Sequence, residues 1–227
     1  MTASASSPEP ILAPLLLGLT VVTGLVDAVS YLALGHVFTA NMTGNVVFLG
    51  FAAAGGKGLS APRSGTAVVA FLLGAVIGGR VATRMSAGPR HRWTGVAFGA
   101  EAALLFTAMA LAIEPTRVYA VIALTGLAMG IRNATARRLA VPDLTTTVLT
   151  LTMTGLAADS RLAGGSNRGW ARRAASVVTM VAGAAVGGWL LRYSVALPLA
   201  LCGAVSGVCA VAAYFGMRPG GLEPPAS

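Results

Sequence analysis

The sequence is poor in charged residues, and its acids are especially scarce. Only 10% of its 227 residues are charged, and seven of these are Asp or Glu, whereas a soluble domain carries about 25% charged residues. Apolar residues make up 56% of the chain, and the mean hydropathy is +0.77. This composition argues against a water-soluble domain and predicts an all-α, polytopic membrane protein.

The sequence also has few residues that could carry redox, metal or nucleophilic chemistry. Its two cysteines, Cys202 and Cys209, lie seven positions apart in one apolar run. On a helix this spacing puts them on the same face, but too far apart along the axis for a disulfide. Its two histidines, His36 and His91, lie in other segments. No Ser/His pair and no pair of acids at helical spacing is visible. We therefore predict no cofactor, no metal site and no enzymatic activity.

Positive charge is the exception, because the chain has 16 Lys and Arg residues and a net charge of +9. These residues fall mostly between the apolar runs, as the positive-inside rule describes for membrane proteins. No separate basic domain is present, so a nucleic-acid partner is not predicted. The predicted partner is the lipid bilayer.

Six apolar runs are long enough to cross a hydrocarbon layer of about 30 Å as helices. They cover approximately 11–34, 67–85, 94–113, 117–136, 174–191 and 195–216. Two weaker runs, about 38–54 and 144–158, are shorter and rich in Thr, with Asn in the first. Each weak run is either a thin crossing or a re-entrant half-helix, which gives eight or six crossings.

The basic residues favour six crossings. With eight crossings, the 16 basic residues divide equally between the two sides of the membrane. With six, twelve of them share one side, and only Lys57, Arg63, Arg117 and Arg192 lie opposite. The positive-inside rule then predicts that both termini lie in the cytoplasm. Eight crossings remain the alternative.

The chain contains an internal similarity. "VVAFLLGAVIGGR" at 68–80 matches "VVTMVAGAAVGGW" at 177–189, and "GLVDA" at 24–28 matches "GIRNA" at 130–134. We therefore predict two homologous halves with opposite membrane orientation, an arrangement that recurs in transporters. The predicted domains are a disordered tail, a first repeat, a second repeat and a C-terminal tail, at 1–10, 11–113, 117–216 and 217–227.

Several of these motifs together resemble one known family. "GLVDAVSYLALGHVFTANMTGNVVFLG" and the later "GIRNATARRL" and "TTTVLTLTMTG" are similar to the YoaK family of bacterial membrane proteins. That family is defined largely by a domain of unknown function. The resemblance implies an integral inner-membrane protein of about six spans, and it implies no particular substrate.

Polar residues within the apolar segments are the candidate site. Asp27 lies inside the first span, where an acid is costly unless it has a partner or faces water. It is either a solute or ion ligand, or a cap for the weak run that follows, and its counterpart in the second half is the neutral Asn133. The side chains of the weak runs either bind a solute or join helices. Those residues are Thr39, Asn41, Thr43, Gly44 and Asn45, with Thr146, Thr150 and Thr152 as their counterparts.

A second group of charged residues lies within the later spans. Glu101, Arg132 and Arg80 fall towards the same side of the membrane, so Glu101 can pair with either arginine. The alternative for both arginines is that their long side chains extend to the membrane surface.

These patterns favour one function and leave another open. The repeat, the two weak runs and Asp27 predict a secondary transporter or permease for a small polar solute. The alternative is a non-catalytic structural or accessory module that binds a protein or lipid partner. A homo-oligomer is compatible with either function.

Overall fold

The computed structural model describes residues 11–139, 149–167 and 169–217. Within these residues the chain is helical and contains no strand. The eight α-helices are α1 (Leu12–Leu32), α2 (Met42–Ala53), α3 (Ala61–Arg84), α4 (Arg90–Leu111), α5 (Val118–Leu139), α6 (Leu149–Ala158), α7 (Trp170–Leu190) and α8 (Ala196–Gly216). The tail predicted at 1–10 lies outside the described residues, as does the tail predicted at 217–227 except for Met217, which is buried in the core.

Six of these helices have the length and apolar composition of membrane spans, and they correspond to the six strong apolar runs. Helices α2 and α6 have 12 and 10 residues, and at 1.5 Å per residue they extend only about 18 and 15 Å. They are too short to cross about 30 Å of hydrocarbon. The predicted helical bundle of six spans and two short helices is confirmed.

Two clusters of buried side chains show that the six long helices alternate in direction. One cluster contains Leu12, Trp93 and Leu139, at the start of α1, the start of α4 and the end of α5. We call this side of the bundle face A. Another cluster contains Val29 and Ala108, from the end of α1 and the end of α4, together with residues near the start of α3, α5 and α8. We call this side face B.

The short helices therefore leave and return on one face each. Helix α1 ends and α3 begins on face B, so α2 and its flanking loops return the chain to the face it left. Helix α5 ends on face A and α7, whose last turn adjoins Leu191 in the face B cluster, begins on face A. The segment containing α6 thus lies at the opposite face from the segment containing α2.

Glycines allow α1 and α7 to pack with their backbones in contact. A Cβ atom added at Gly24 would lie 2.3 Å from the carbonyl oxygen of Met180, and one added at Gly183 would lie 2.2 Å from that of Val21. Both distances are far below any real carbon–oxygen contact. Such close approach is typical of small residues at helix interfaces in membranes.

Helices α5 and α3 make the same contact at equivalent positions. A Cβ atom added at Gly130 would lie 2.1 Å from the carbonyl oxygen of Phe71, and one added at Gly74 would lie 2.1 Å from that of Leu127. These residues correspond to those of the α1–α7 contact at the sequence offsets of the two matched motifs. Helix α1 therefore relates to α7 as α5 relates to α3.

The remaining contacts follow the same pattern. Helix α4 packs along α8 in the middle of the bundle, α5 also packs on α4, and α1 also packs on α8. Helix α2 packs on α3, and α6 packs on α7. Each short helix is thus attached to the long helix that follows it, and the large apolar residues exposed on α3 and α7 face lipid, for example Val69, Leu72, Val178 and Val181.

Candidate functional site

Asp27 holds the loop that connects α1 to α2. Its side chain is 6% exposed, and one carboxylate oxygen accepts a hydrogen bond from the backbone N–H of Ala40 at 3.1 Å. The side-chain amide of Asn41 donates to the other oxygen. One turn further along α1, the hydroxyl of Ser30 accepts the backbone N–H of Thr39 at 3.3 Å. The side chains of α1 thus pair backbone groups of an irregular segment that lies at membrane depth, as such segments require.

Asn45 and Gly44 fix the same loop from the other side. The backbone N–H of Phe38 donates to Oδ1 of Asn45 at 3.0 Å, and the side-chain amide of Asn45 donates to the carbonyl oxygen of Phe38. A Cβ atom at Gly44 would lie 2.7 Å from the Phe38 ring, so only glycine leaves room for that ring. These two residues of the polar motif therefore serve the fold of the loop.

Aromatic side chains and an arginine cover this loop on face B. The Phe38 ring stacks between Tyr31 and Phe48, with ring centroids 5.1 and 6.1 Å away. Gly35 adopts a positive φ of 93°, and the Arg63 guanidinium packs directly against its backbone. The beginning of α3 therefore lies against the end of α1, and the loop is packed between them.

A cavity lies on the other side of the loop, between the start of α2, the middle of α3 and the last turns of α5. Its volume is about 770 Å³, within the range of small-molecule sites. Three residues of the predicted site line it, namely Asn41, Thr43 and Asn133. Its other described lining residues are Ala40, Met42, Phe71, Ala75, Gly79, Ala134, Ala136, Arg137 and Arg138.

Helix α2 begins at this cavity without a side-chain cap. Its N-cap residue is Asn41, which makes no capping hydrogen bond and whose side-chain amide donates to Asp27. Within the described chain, the backbone N–H groups of Met42 and Thr43 have no hydrogen-bond acceptor. The start of a helix carries partial positive charge, so this end of the cavity offers hydrogen-bond donors.

The other predicted site residues lie elsewhere. Thr39 is fully buried, and its hydroxyl has no partner within the described chain. Thr150 is exposed and Thr152 is buried on α6, and neither lines this cavity. Thr146 lies outside the described residues. The described residues predicted for one shared site therefore occupy two places, because α2 is attached to α3 and α6 to α7.

A second polar centre lies inside the bundle. Glu101 on α4 and Arg132 on α5 form an ion pair in which both side chains are fully buried. The guanidinium uses two nitrogens: Nε donates to one carboxylate oxygen at 3.0 Å, and Nη2 donates to the other. The alternative interpretation, in which Arg132 reaches the membrane surface, does not apply.

Helices α1 and α8 complete this centre. The remaining guanidinium nitrogen of Arg132 donates to the carbonyl oxygen of Leu19 at 2.7 Å and to the hydroxyl of Thr23 at 2.9 Å. The hydroxyl of Ser206 donates to Glu101 at 2.6 Å. The sequence analysis missed Thr23 and Ser206, since single hydroxyls in apolar helices carry no distinguishing signal.

Arg80 does not take part in this centre, although the sequence analysis named it as a candidate partner of Glu101. It is exposed on α3, and within the described chain it has no carboxylate partner. The reason is packing: α4 lies mainly against α5 and α8, and only weakly against α3.

Comparison with known proteins places the chain in a family. Residues 15–212 match the family described as "Protein of unknown function (DUF1275)". The UPF0700 transmembrane protein YoaK of Bacillus subtilis (strain 168) is 36% identical over 147 residues, which are 62% of this chain and 64% of that protein. The matched region thus spans less than two thirds of that relative, and no solved structure matches the chain. The resemblance predicted from the sequence motifs is confirmed, and the chain belongs to the DUF1275 family of proteins of unknown function.

Proposed function

We propose that this multi-pass membrane protein is a secondary transporter or permease for a small polar solute. The observation that carries the proposal is the cavity between α2, α3 and α5, where Asn41 and Thr43 of the broken segment meet Asn133 of α5. Discontinuous helices of transporters commonly place polar groups at such a point. We propose no chemical reaction for this site, and hence no enzymatic activity.

The position of the cavity suggests how transport works. The loop of residues 33–41 and its aromatic stack lie on the face B side of the cavity, and Arg137 and Arg138 lie on the face A side, in the last turn of α5. The proposed solute therefore reaches the cavity from face A. Release at face B requires the loop held by Asp27 to move.

We further propose that the chain is built from two inverted repeats. The equivalent glycine contacts of α1 with α7 and of α5 with α3 support this proposal, as do the opposite faces used by the segments containing α2 and α6. In transporters with inverted repeats, exchange between two such arrangements opens a central site to each side of the membrane in turn.

We propose that face A is cytoplasmic and that the membrane is the bacterial inner membrane. Face A carries most of the arginines, as the positive-inside rule requires. Cysteines introduced at Lys57 and Gly88, which are exposed in the connections before α3 and before α4, test this orientation. A membrane-impermeant thiol reagent applied to intact cells should label Lys57→Cys and leave Gly88→Cys unlabelled. The native Cys202 and Cys209 are buried, and the parent chain controls for them. The reverse pattern of labelling refutes the orientation.

Uptake into liposomes tests the transport proposal. Purified protein is reconstituted and offered a panel of labelled sugars, polyols, amino acids and carboxylates. We expect uptake of at least one class by the parent, its loss in Asn133→Ala, and its retention in Thr107→Ala. Thr107 is exposed on α4 and bonds only to its own helix, so it is a matched control. Absence of uptake across the panel, or equal uptake by Asn133→Ala, contradicts the proposal.

A second candidate function is a non-catalytic membrane module that binds a protein or lipid partner. The observation that favours it is that Asp27, Gly44 and Asn45 all make contacts inside the chain and serve its fold. Co-purification of one stoichiometric partner, together with no uptake of any solute in the panel, supports this second function. The partner in this second function includes a second copy of the same chain, which gives a homo-oligomer.

A further inference from the structure

We infer that the cavity between α2, α3 and α5 binds small organic anions, recognised through Arg137 and Arg138. This inference rests on the proposed function, and it specifies that the transported solute is negatively charged. The relevant chemistry is a carboxylate or phosphate group, because guanidinium groups bind both through paired hydrogen bonds.

The charges that line the cavity carry the first step. The ionisable residues among its described lining are two arginines, and no acid is among them. Arg138 of α5 donates to the hydroxyl of Thr83 on α3 at 3.2 Å through one guanidinium nitrogen. This bond holds its side chain against α3 and leaves its other N–H groups available. Arg137 has no carboxylate partner within the described chain. Within its described lining, the cavity therefore presents positive charge and no acid.

The opposite end of the cavity offers donors of the same kind. Thr43 lines it with an exposed hydroxyl, and the start of α2 adds backbone N–H groups that lack acceptors. Asp27 is not part of the described lining. Both of its oxygens already accept hydrogen bonds from the loop, from Ala40 and Asn41. A solute with negative charge meets donors at both ends.

The size of the cavity selects among anions. A volume of about 770 Å³ exceeds what a bare inorganic ion occupies and lies within the range typical of small organic ligands. A lipid headgroup carries the same phosphate chemistry. It is the competing occupant, because the cavity is lined by the membrane-spanning helices α3 and α5. We assign the site to a freely diffusing anion, and the test separates the two sources.

The test measures binding to purified protein in nanodiscs made only of phosphatidylcholine, at constant ionic strength. The probes are acetate, succinate and phosphate, each added as its sodium salt, and the matched neutral probes are acetamide and succinamide. Thermal stabilisation as a function of concentration gives the affinity. We expect acetate or succinate to stabilise the parent more than phosphate does, while the matching amide does not stabilise it.

Matched variants locate the effect. We expect Arg137→Gln and Arg138→Gln each to weaken anion affinity about 10-fold or more, as loss of a charged hydrogen bond does, and the double variant to abolish it. Arg84→Gln is the control, since Arg84 is exposed in the last turn of α3 and does not line the cavity. The melting temperature without ligand shows whether each variant folds. If the double variant does not fold, the two single variants are sufficient for the test.

The outcomes separate this inference from the proposed function. Equal stabilisation by acetamide and acetate, or unchanged affinity in both single variants, overturns the inference. Stabilisation of the protein by phosphatidylglycerol in the nanodiscs, with no effect of any soluble anion in its absence, assigns the site to a lipid and also overturns it. Uptake of neutral solutes without anion binding refutes the anion and keeps transport. Anion binding without uptake of any solute keeps the anion and refutes transport.

Discussion

Helices α1 and α5 occupy equivalent places in the fold and carry different polar residues. Each packs through a glycine, Gly24 or Gly130, against the backbone of a long helix of the other half, α7 or α3 respectively. At the positions beside these glycines the two helices diverge. Helix α1 has Val26 and Asp27 where α5 has Arg132 and Asn133.

This difference shows that backbone packing and polar chemistry are set separately in the two halves. The close contacts depend on the absence of a side chain, which both helices retain. Asp27 holds a loop, whereas Asn133 lines a cavity and donates only to the carbonyl of Met129 in its own helix. Arg132 joins α5 to α4 and α1, whereas Val26 packs in an apolar cluster. Two helices with the same backbone packing thus support two different kinds of polar site.

The largest effect is expected at the buried ion pair of Arg132 on α5, because α1 has the apolar Val26 at the equivalent position. Glu101→Gln removes the charge that compensates Arg132 in a fully buried position. Breaking a buried pair by changing one partner costs about 3–5 kcal/mol, so the free energy of unfolding should fall by that amount. Denaturant unfolding of the protein in detergent micelles measures it.

The exposed pair of Glu114 and Arg117 is the control for this prediction. Their side chains are 59% and 51% exposed, and surface pairs contribute about 1 kcal/mol or less. Glu114→Gln should therefore leave stability nearly unchanged. A loss below about 1 kcal/mol in Glu101→Gln shows that the buried pair is not structural.

The next effect tests the common frame. Gly24→Ala and Gly130→Ala each place a Cβ atom within about 2.3 Å of a backbone oxygen, so the paired helices must separate. We expect both to destabilise by similar amounts, about 1–3 kcal/mol, as overpacking does. Gly99→Ala in α4 meets open space and serves as the control. A large loss in only one of the two variants breaks the equivalence of the halves.

A smaller difference is expected between the two polar counterparts. Asp27→Asn weakens the bonds from Ala40 and Asn41, and loss of one charge-assisted hydrogen bond costs about 1–2 kcal/mol. Asn133→Ala removes a bond to a carbonyl of its own helix and should cost less than about 1 kcal/mol. Melting temperatures of the two variants beside the parent check the order. The reverse order removes the loop-holding role of Asp27.

The smallest effect compares the two short helices. A Cβ atom at Gly44 meets the Phe38 ring at 2.7 Å, and one at Gly155 meets the Arg173 guanidinium at 2.8 Å. The Phe38 ring is confined by its aromatic stack, whereas an arginine side chain can move. Alanine also favours a helix by about 1 kcal/mol over glycine. We expect Gly155→Ala to match or exceed the parent in melting temperature, and Gly44→Ala to lie below it. Equal melting temperatures refute the confinement of Phe38.

The fold was accessible from the sequence because it depends on local properties. Run length and apolar content predicted six spans, and the structure has six helices of that kind. The shortness and polarity of the weak runs predicted α2 and α6. The helix ends differ by a few residues, for example at α3, which begins at Ala61 where the apolar run begins at 67, because hydropathy does not detect the polar first turns of a helix.

The site was less accessible because it depends on how helices face one another. Glu101 and Ser206 are 105 positions apart, and no local pattern records which sides of α4 and α8 meet. The cavity combines Asn41 and Asn133, which the sequence named, with Arg137 and Arg138, which it assigned only to the charge distribution. The hydrogen bonds that Asp27 accepts from Ala40 and Asn41 also depend on where the loop folds back against α1, which no local pattern records.

The buried ion pair also bears on how the chain enters the membrane. An arginine presented alone to hydrocarbon makes insertion unfavourable by about 2.5–3.5 kcal/mol. Its acid partner Glu101 lies on the preceding helix, and only residues 112–117 connect α4 to α5. The two helices can therefore leave the translocon as one hairpin, with their opposite charges already matched before the rest of the bundle assembles.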